Sequence, residues 1–214
     1  MSRLLLVLFF LLPAPPQGQD LAPHVIVERV SDVYGRLNSL SADFEQITVN
    51  RSNRTEHSRG HLYVKTGRRA RFDYSSPVQK FEYFDGSRHW EYKPGENQAI
   101  STPMGRAEDE RLLAFLVLGN RESPWKDQFK EFGLGGKGTL NAANKVVTLT
   151  PNNKQNFKEL IVEVDPRTFL IHRFAFTRAD GARGEYIFRD IKTAPLEDSV
   201  FKFTAPPNVN VFVK

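Results

Sequence analysis

Gly60-His-Leu-Tyr-Val-Lys65, Arg71-Phe-Asp-Tyr-Ser-Ser-Pro77, Asp85-Gly86 and Trp90-Glu-Tyr-Lys-Pro94 follow one another in the stretch that decides the fold. Apolar and polar residues alternate along successive short runs. Phe72 and Tyr74 share a face of one run, Phe81 and Tyr83 of the next, Trp90 and Tyr92 of the third. Arg71, Asp73, Glu82, His89 and Glu91 fall on the opposite faces. Half-buried antiparallel strands require this period of two, because successive side chains point to opposite sides. Asp85-Gly86 stands where a hairpin turn belongs, since glycine enters positive φ without steric cost. The expectation is a sheet with one aromatic face and one solvated face. The aromatic face needs a cover: a helix, a second sheet or an apolar ligand.

On the N-terminal side, Ile26, Val30, Val33, Leu37 and Leu40 follow helical spacing, and Pro23 suits a first helical turn. An amphipathic helix over roughly 22–39 is predicted, lying on the sheet. Strands are predicted near 41–50, 57–65, 69–75, 79–84, 88–93 and 97–101. They resume near 128–134, 138–142, 145–150, 157–164, 170–178 and 183–192. Asp180-Gly181 marks a second hairpin, and a turn near 196–200 leads to a last strand, Phe201 to Thr204. Between the two sets, Glu108-Asp-Glu-Arg-Leu-Leu-Ala-Phe-Leu-Val-Leu-Gly119 starts acidic and ends at Gly119-Asn120, as a helix should. Leu112, Leu113, Phe115, Leu116, Val117 and Leu118 make that helix apolar almost all round. The fold class is mainly β with α: a strongly curved antiparallel sheet, a half-open barrel of about ten or eleven strands, covered by two or three helices.

Arg3 precedes an apolar run, Leu4 to Leu12, and a Pro-rich stretch follows. This reads as a secretory signal over residues 1–19. The run is too short for a membrane span, which needs about 20 apolar residues. Residues 20–214 then form a single domain in the periplasm or outside the cell. The chain has no cysteine. Its core must therefore stand without disulfides, and no cysteine follows the signal to carry a lipid. Thirty Lys and Arg against 25 Asp and Glu give a net charge of +5. That is a modest excess, with no basic helix or nucleic-acid motif, so no nucleic-acid partner is expected. Seventeen phenylalanines are a large aromatic supply and make an apolar cavity plausible.

Motifs for catalysis are missing. His57 and His61 stand four apart, but on a strand that is about 13 Å, too far to grip one metal. Gly133-Leu-Gly-Gly-Lys-Gly138 lacks the spacing and the Lys-Ser/Thr pair of a phosphate loop. There is no thiol nucleophile and no Gly-x-Ser-x-Gly elbow. No enzyme, cofactor or metal is expected.

The order of these motifs resembles the outer-membrane lipoprotein carrier family, the LolA type of periplasmic chaperone. Ser41-Ala-Asp-Phe-Glu-Gln46 looks like its opening strand, and Gly60 to Lys65 with Phe72 to Pro77 like its next hairpin. Asp85-Gly86 through Trp90 and Tyr92 continues the match. Leu112 to Asn120, then Trp125, is similar to its internal helix, and Phe201-Lys-Phe-Thr-Ala-Pro-Pro-Asn-Val209 to its ending.

The resemblance implies a cavity that holds lipoprotein acyl chains. Phe44, Leu62, Phe72, Tyr74, Phe81, Tyr83, Trp90 and Tyr92 are its expected lining, with Leu112, Leu113 and Leu116 on a helical lid. It also implies partners: acylated lipoproteins, an inner-membrane ABC transporter that loads the carrier, and an outer-membrane acceptor lipoprotein that unloads it. A monomer suits a protein that hands over cargo. The family often has an arginine just after the Val-Lys pair, which ties the lid shut. Thr66 stands there in this chain, and Arg68 and Arg69 are the expected substitutes. Two other roles fit the same fold: an envelope-stress regulator, or a carrier of another lipid or glycolipid.

Overall fold

Alternation along the chain becomes one continuous sheet. The computed structural model describes residues 21–104, 129–135, 139–152 and 157–214. The predicted signal segment and the helix carrying Leu112, Leu113 and Leu116 lie outside the described residues. Helix α1 (Pro23–Arg36) opens the described chain, with Pro23 in its first turn. Twelve strands follow: β1 (Ser39–Val49), β2 (Thr55–Lys65), β3 (Arg69–Ser76), β4 (Lys80–Asp85), β5 (Arg88–Lys93), β6 (Gln98–Pro103), β7 (Phe129–Leu134), β8 (Lys145–Pro151), β9 (Phe157–Val164), β10 (Ile171–Arg178), β11 (Arg183–Lys192) and β12 (Asn210–Val213). They lie in the order β12-β6-β5-β4-β3-β2-β1-β11-β10-β9-β8-β7. Neighbours are antiparallel except β12, which joins the edge of β6 in parallel.

The fold is the expected curved, mainly β sheet under a helix. Both foreseen hairpins form. Gly86 (φ +99°) and Gly181 (φ +91°) take the left-handed turn positions. Asp85 holds the first turn: its Oδ1 accepts from the Ser87 N–H, the Ser87 hydroxyl and the Arg88 N–H, each at 2.8 Å. Burial works against its charge, but these bonds prevail and hold its carboxyl below the usual range.

Two expected strands do not form. Residues 139–144 make a turn instead, because the N–H groups of Leu140 and Asn141 bond the Glu163 carboxylate and not a neighbouring strand. Phe201 to Thr204 is not a strand either. A 3-10 turn, Asp198–Phe201, takes its start, and the last strand is β12 instead.

Pairing assigns every residue a face. On the inner face, Phe44 stands opposite Gly60 on β2 and Phe188 on β11, Leu62 opposite Phe72, and Phe174 opposite Tyr186. The inner face is the core. Ile26, Val27 and Val30 of α1 are fully buried with it, and α1 lies against β7 and β8. The Ile171 N–H donates to the Tyr34 hydroxyl at 3.0 Å, pinning α1 to β10. Burial drives the Tyr34 phenol well above its ordinary pKa, against the smaller lowering effect of that bond.

Gly60 lets adjacent backbones close up. A Cβ there would stand 2.1 Å from the Asp73 carbonyl oxygen, beside the register shift between Arg59 and Gly60. Such an irregularity increases local twist and helps curve the sheet.

Candidate functional site

The eight expected lining residues divide between the two faces of the sheet. Phe72 pairs with Glu82 and Tyr74 with Lys80, so Phe72, Tyr74, Glu82 and Lys80 share the inner face. Phe81 pairs with Tyr92 and Tyr83 with Trp90, and these four lie on the outer face with Arg71 and Asp73. One lining made of all eight is therefore excluded. The reason is register: a shift of one residue between neighbouring strands turns a whole side-chain set over.

On the inner face, Phe44, Leu62, Phe72 and Tyr74 are all buried. Phe44 meets Phe72 edge-on at 5.6 Å and Tyr74 at 5.1 Å, and Phe72 meets Phe84 at 6.2 Å. Phe84, Phe174, Phe176, Tyr186 and Phe188 extend the same surface and were absent from the expected set. The alternation of Phe174 with Phe176 and of Tyr186 with Phe188 was the sequence signal that could have added four of them. Gly184 leaves room for the Phe176 ring, which a Cβ would approach to 2.2 Å.

This apolar surface carries a few polar groups. Gln46 Nε2 donates to the Tyr186 hydroxyl at 2.7 Å, and the Tyr74 hydroxyl donates to Gln46 Oε1 at 3.2 Å. Lys80 Nζ sits 4.4 Å from the centre of the Tyr74 ring and 2.5 Å from Glu82 Oε1. The His89 ring stacks on Phe84 at 4.3 Å.

The outer aromatics have their own cover. Phe203 contacts Tyr83 (5.4 Å), Trp90 (5.1 Å) and Tyr92 (5.6 Å), and Phe201 is fully buried. The C-terminal segment is strapped over β1 to β5 by polar contacts. The Leu196 N–H donates to the Ser39 hydroxyl, and Lys65 Nζ donates to the Leu196 carbonyl. Arg71 lies over the Tyr83 ring at 4.9 Å and pairs with Asp73 at 2.7 Å.

Arg69 belongs to this strap. Its Nη1 lies 2.7 Å from Asp198, its Nε donates to the Thr66 carbonyl, and it sits on the outer face, opposite to Ala70 and Phe72. The helix it was expected to tie down lies outside the described residues. Arg68 occupies the left-handed position of the β2–β3 turn, at φ +58°.

Asp198 also bonds Lys65 Nζ at 2.5 Å, and this bond is the main cause that holds its carboxyl below the ordinary range, with Arg69 adding to it. A depressed carboxyl stabilises the fold above its unfolded pKa, about 3.9, and that contribution disappears as pH falls through the folded value. Asp198→Asn should therefore melt below wild type at pH 7, with the gap closing as pH is taken below about 4. The effect is small, because the site is exposed and screened. Melting curves from pH 7 to pH 3 check it; a gap unchanged at pH 3 would rule out the ionic origin.

An open cleft of about 540 Å³ lies over β1, β2, β3 and β11, lined by Asp43, Glu45, Arg59, His61, Asp73 and Arg189 among others. His61 Nδ1 is 2.6 Å from Asp43 there. Its charged wall suits polar contacts and not hydrocarbon. Among the described residues no group of three His, Cys, Asp or Glu side chains is placed to hold a metal, and no helix is long and apolar enough to cross a membrane.

Known proteins are similar to this chain in fold and in sequence. A protein from Thermus thermophilus described as an uncharacterized conserved protein has a similar solved fold, with TM-score 0.57 at 14% identity, covering 89% of this chain and 98% of that one. The outer-membrane lipoprotein carrier protein of Glaesserella parasuis is 29% identical over 184 residues, 84% of this chain and 82% of its own length. That of Yersinia pestis is 26% identical over 216 residues, covering 99% and 98%. Residues 35–204 match the model of the family described as outer membrane lipoprotein carrier protein LolA. From β1 to the strap that crosses the outer face, this chain belongs to the LolA family of outer membrane lipoprotein carrier proteins.

Proposed function

We propose that this chain is a periplasmic carrier that takes up the acyl chains of lipoproteins and ferries them from the inner to the outer membrane. The observation that supports this most is the inner face, where aromatic and aliphatic side chains from β1 to β4 and β8 to β11 form one continuous buried surface under α1. Each acyl CH₂ withdrawn from water is worth about 0.8 kcal/mol, so a chain of about fifteen methylenes needs a shield worth roughly 12 kcal/mol. An apolar surface this large supplies that shield once its cover moves. Phe44, Leu62, Phe72 and Tyr74 are the proposed contacts, and Leu112, Leu113 and Leu116 the proposed movable cover. In this reading residues 1–19 are a signal peptide and residues 20–214 the carrier domain. An inner-membrane ABC transporter loads it, and an outer-membrane acceptor lipoprotein unloads it. The protein works as a monomer and performs no catalysis.

The test is capture of the tagged mature protein from periplasm, with mass spectrometry of what stays bound. Acylated lipoproteins in stoichiometric amounts support the carrier. Free lipid alone points to a general lipid carrier. Neither, with an inner face that takes up no acyl probe, leaves that face as ordinary core and favours a regulator.

A further inference from the structure

The inner face is not uniformly apolar along β1 to β4. From the β2–β3 turn toward the β1–β2 hairpin, its positions on β1 read Leu40, Ala42, Phe44, then Gln46 and Thr48. On β2 they read Val64, Leu62, Gly60, then Ser58 and Glu56. On β3 they read Ala70, Phe72 and Tyr74, and on β4 Phe84, Glu82 and Lys80. β1, β2 and β4 thus turn polar toward the same end, and β3 brings the Tyr74 hydroxyl there. At the boundary stands Gln46, gripped from both sides by buried tyrosines. Its amide carbonyl accepts from Tyr74 and one amide N–H is given to Tyr186. These two bonds come from β3 and β11 and fix the side chain's orientation. A primary amide has two N–H donors. The second makes no hydrogen bond to any described residue, and Gln46 is only partly buried.

Resting on the carrier reading, we propose that Gln46 is a specificity-determining residue: it anchors the ester carbonyl of a bound acyl chain, and cargo is held in one orientation. The chain ends lie toward the β2–β3 turn among Leu62, Ala70 and Phe72, and the glycerol end lies toward Ser58 and Thr48. The chemistry follows from the gradient. An acyl ester is hydrocarbon along its length and a hydrogen-bond acceptor at one end only. Burying that carbonyl without a donor is costly, so the donor selects both the ester and its direction. The tyrosines, being bonded to Gln46, act through it as positioning residues.

The test compares an S-diacylglyceryl-cysteine peptide with its dialkyl ether counterpart, equal in chain length and lacking only the carbonyls. Wild type should bind the ester about five- to tenfold more tightly, the effect of one hydrogen bond. Gln46→Leu should bind both alike, at the wild-type ether affinity. Equal affinity of wild type for ester and ether overturns the anchor while leaving the carrier reading intact. Failure of wild type to bind either probe overturns both. A phosphatidylglycerol pair, ester and ether, identifies the source: preference for the ester there too supports the contact and assigns it to acyl esters in general. Because Gln46→Leu also removes a partner from two tyrosines, orientation is read independently in wild type. A photoreactive group at the chain end should label the Leu62–Phe72 region, and one at the glycerol should label Gln46 to Ser58. Labelling spread equally over both ends, or reversed, overturns the orientation.

Discussion

Replacing Phe72 by alanine is expected to cost about 3–5 kcal/mol of stability, among the largest losses available to a single change on the inner face. Phe72 is 1% exposed. It touches the Phe44 and Phe84 rings edge-on and lies stacked over Tyr74. Removing the ring withdraws its transfer energy and leaves a hole that a stiff sheet closes poorly. For a domain of this size, the melting temperature should fall by roughly 6–20 °C. Phe81→Ala is the matched control, one strand away in sequence but on the other face. Phe81 is half-buried and stacks on Tyr92 at 6.0 Å, so its loss should be less than half as large. Equal losses at the two positions would contradict the division of the aromatics between faces. The pair also bears on function. If the inner face takes acyl chains, a saturating acyl probe should restore more stability to Phe72→Ala than to Phe81→Ala, because hydrocarbon fills an apolar cavity.

The same two residues show what was legible in the sequence. Alternation within each run is a local property, and it correctly made Phe72 and Tyr74 neighbours, and Phe81 and Tyr83 neighbours. Whether two runs turn their aromatics to the same side depends on how the strands pair, and composition carries no record of that. Here Phe72 lands opposite Glu82, so β3 and β4 present their ring pairs to opposite faces. The strap over the outer face was hidden for a similar reason. Phe201 and Phe203 alternate as strand residues do, yet they serve as wedges, and the backbone between them and β12 pairs with no strand. Arg69 was read as a lock because it stands near Thr66. The partner it has among the described residues, Asp198, lies more than a hundred residues away in sequence, a distance no motif spans. The hairpins at Gly86 and Gly181, by contrast, were decided by a dipeptide, and short-range chemistry is where sequence reading is strongest.

Glu163 carries the second large expected effect, and its sign rests on electrostatics, not packing. The residue is 0% exposed on the outer face of β9, and nothing in its own run marked it as different from a solvated glutamate. One carboxylate oxygen accepts from the Leu140 N–H at 2.7 Å, the Asn141 N–H at 3.3 Å and Asn144 Nδ2 at 2.9 Å. The other lies 3.2 Å from Arg173 Nε, and Arg173 reaches Glu185 at 3.3 Å. Glu163→Ala should cost about 3–5 kcal/mol, because it strips the 139–144 turn of its acceptor and leaves a buried guanidinium with one partner instead of two. Glu163→Gln keeps an acceptor for the turn and should cost less. Replacing the pair together, Glu163→Leu with Arg173→Met, should cost less than the sum of the two single changes, since no unpaired charge remains. The turn bonds stay lost in that double variant, so a residual deficit measures them separately. Chemical denaturation of these five variants, Glu163→Leu and Arg173→Met being made singly as well as together, checks the order; a loss under about 1 kcal/mol for Glu163→Ala would sink the argument. A buried ion pair is weak as a source of net stability. In this chain its use is to specify: the carboxylate claims the N–H groups of Leu140 and Asn141, and so makes a turn of residues whose sequence reads as a strand.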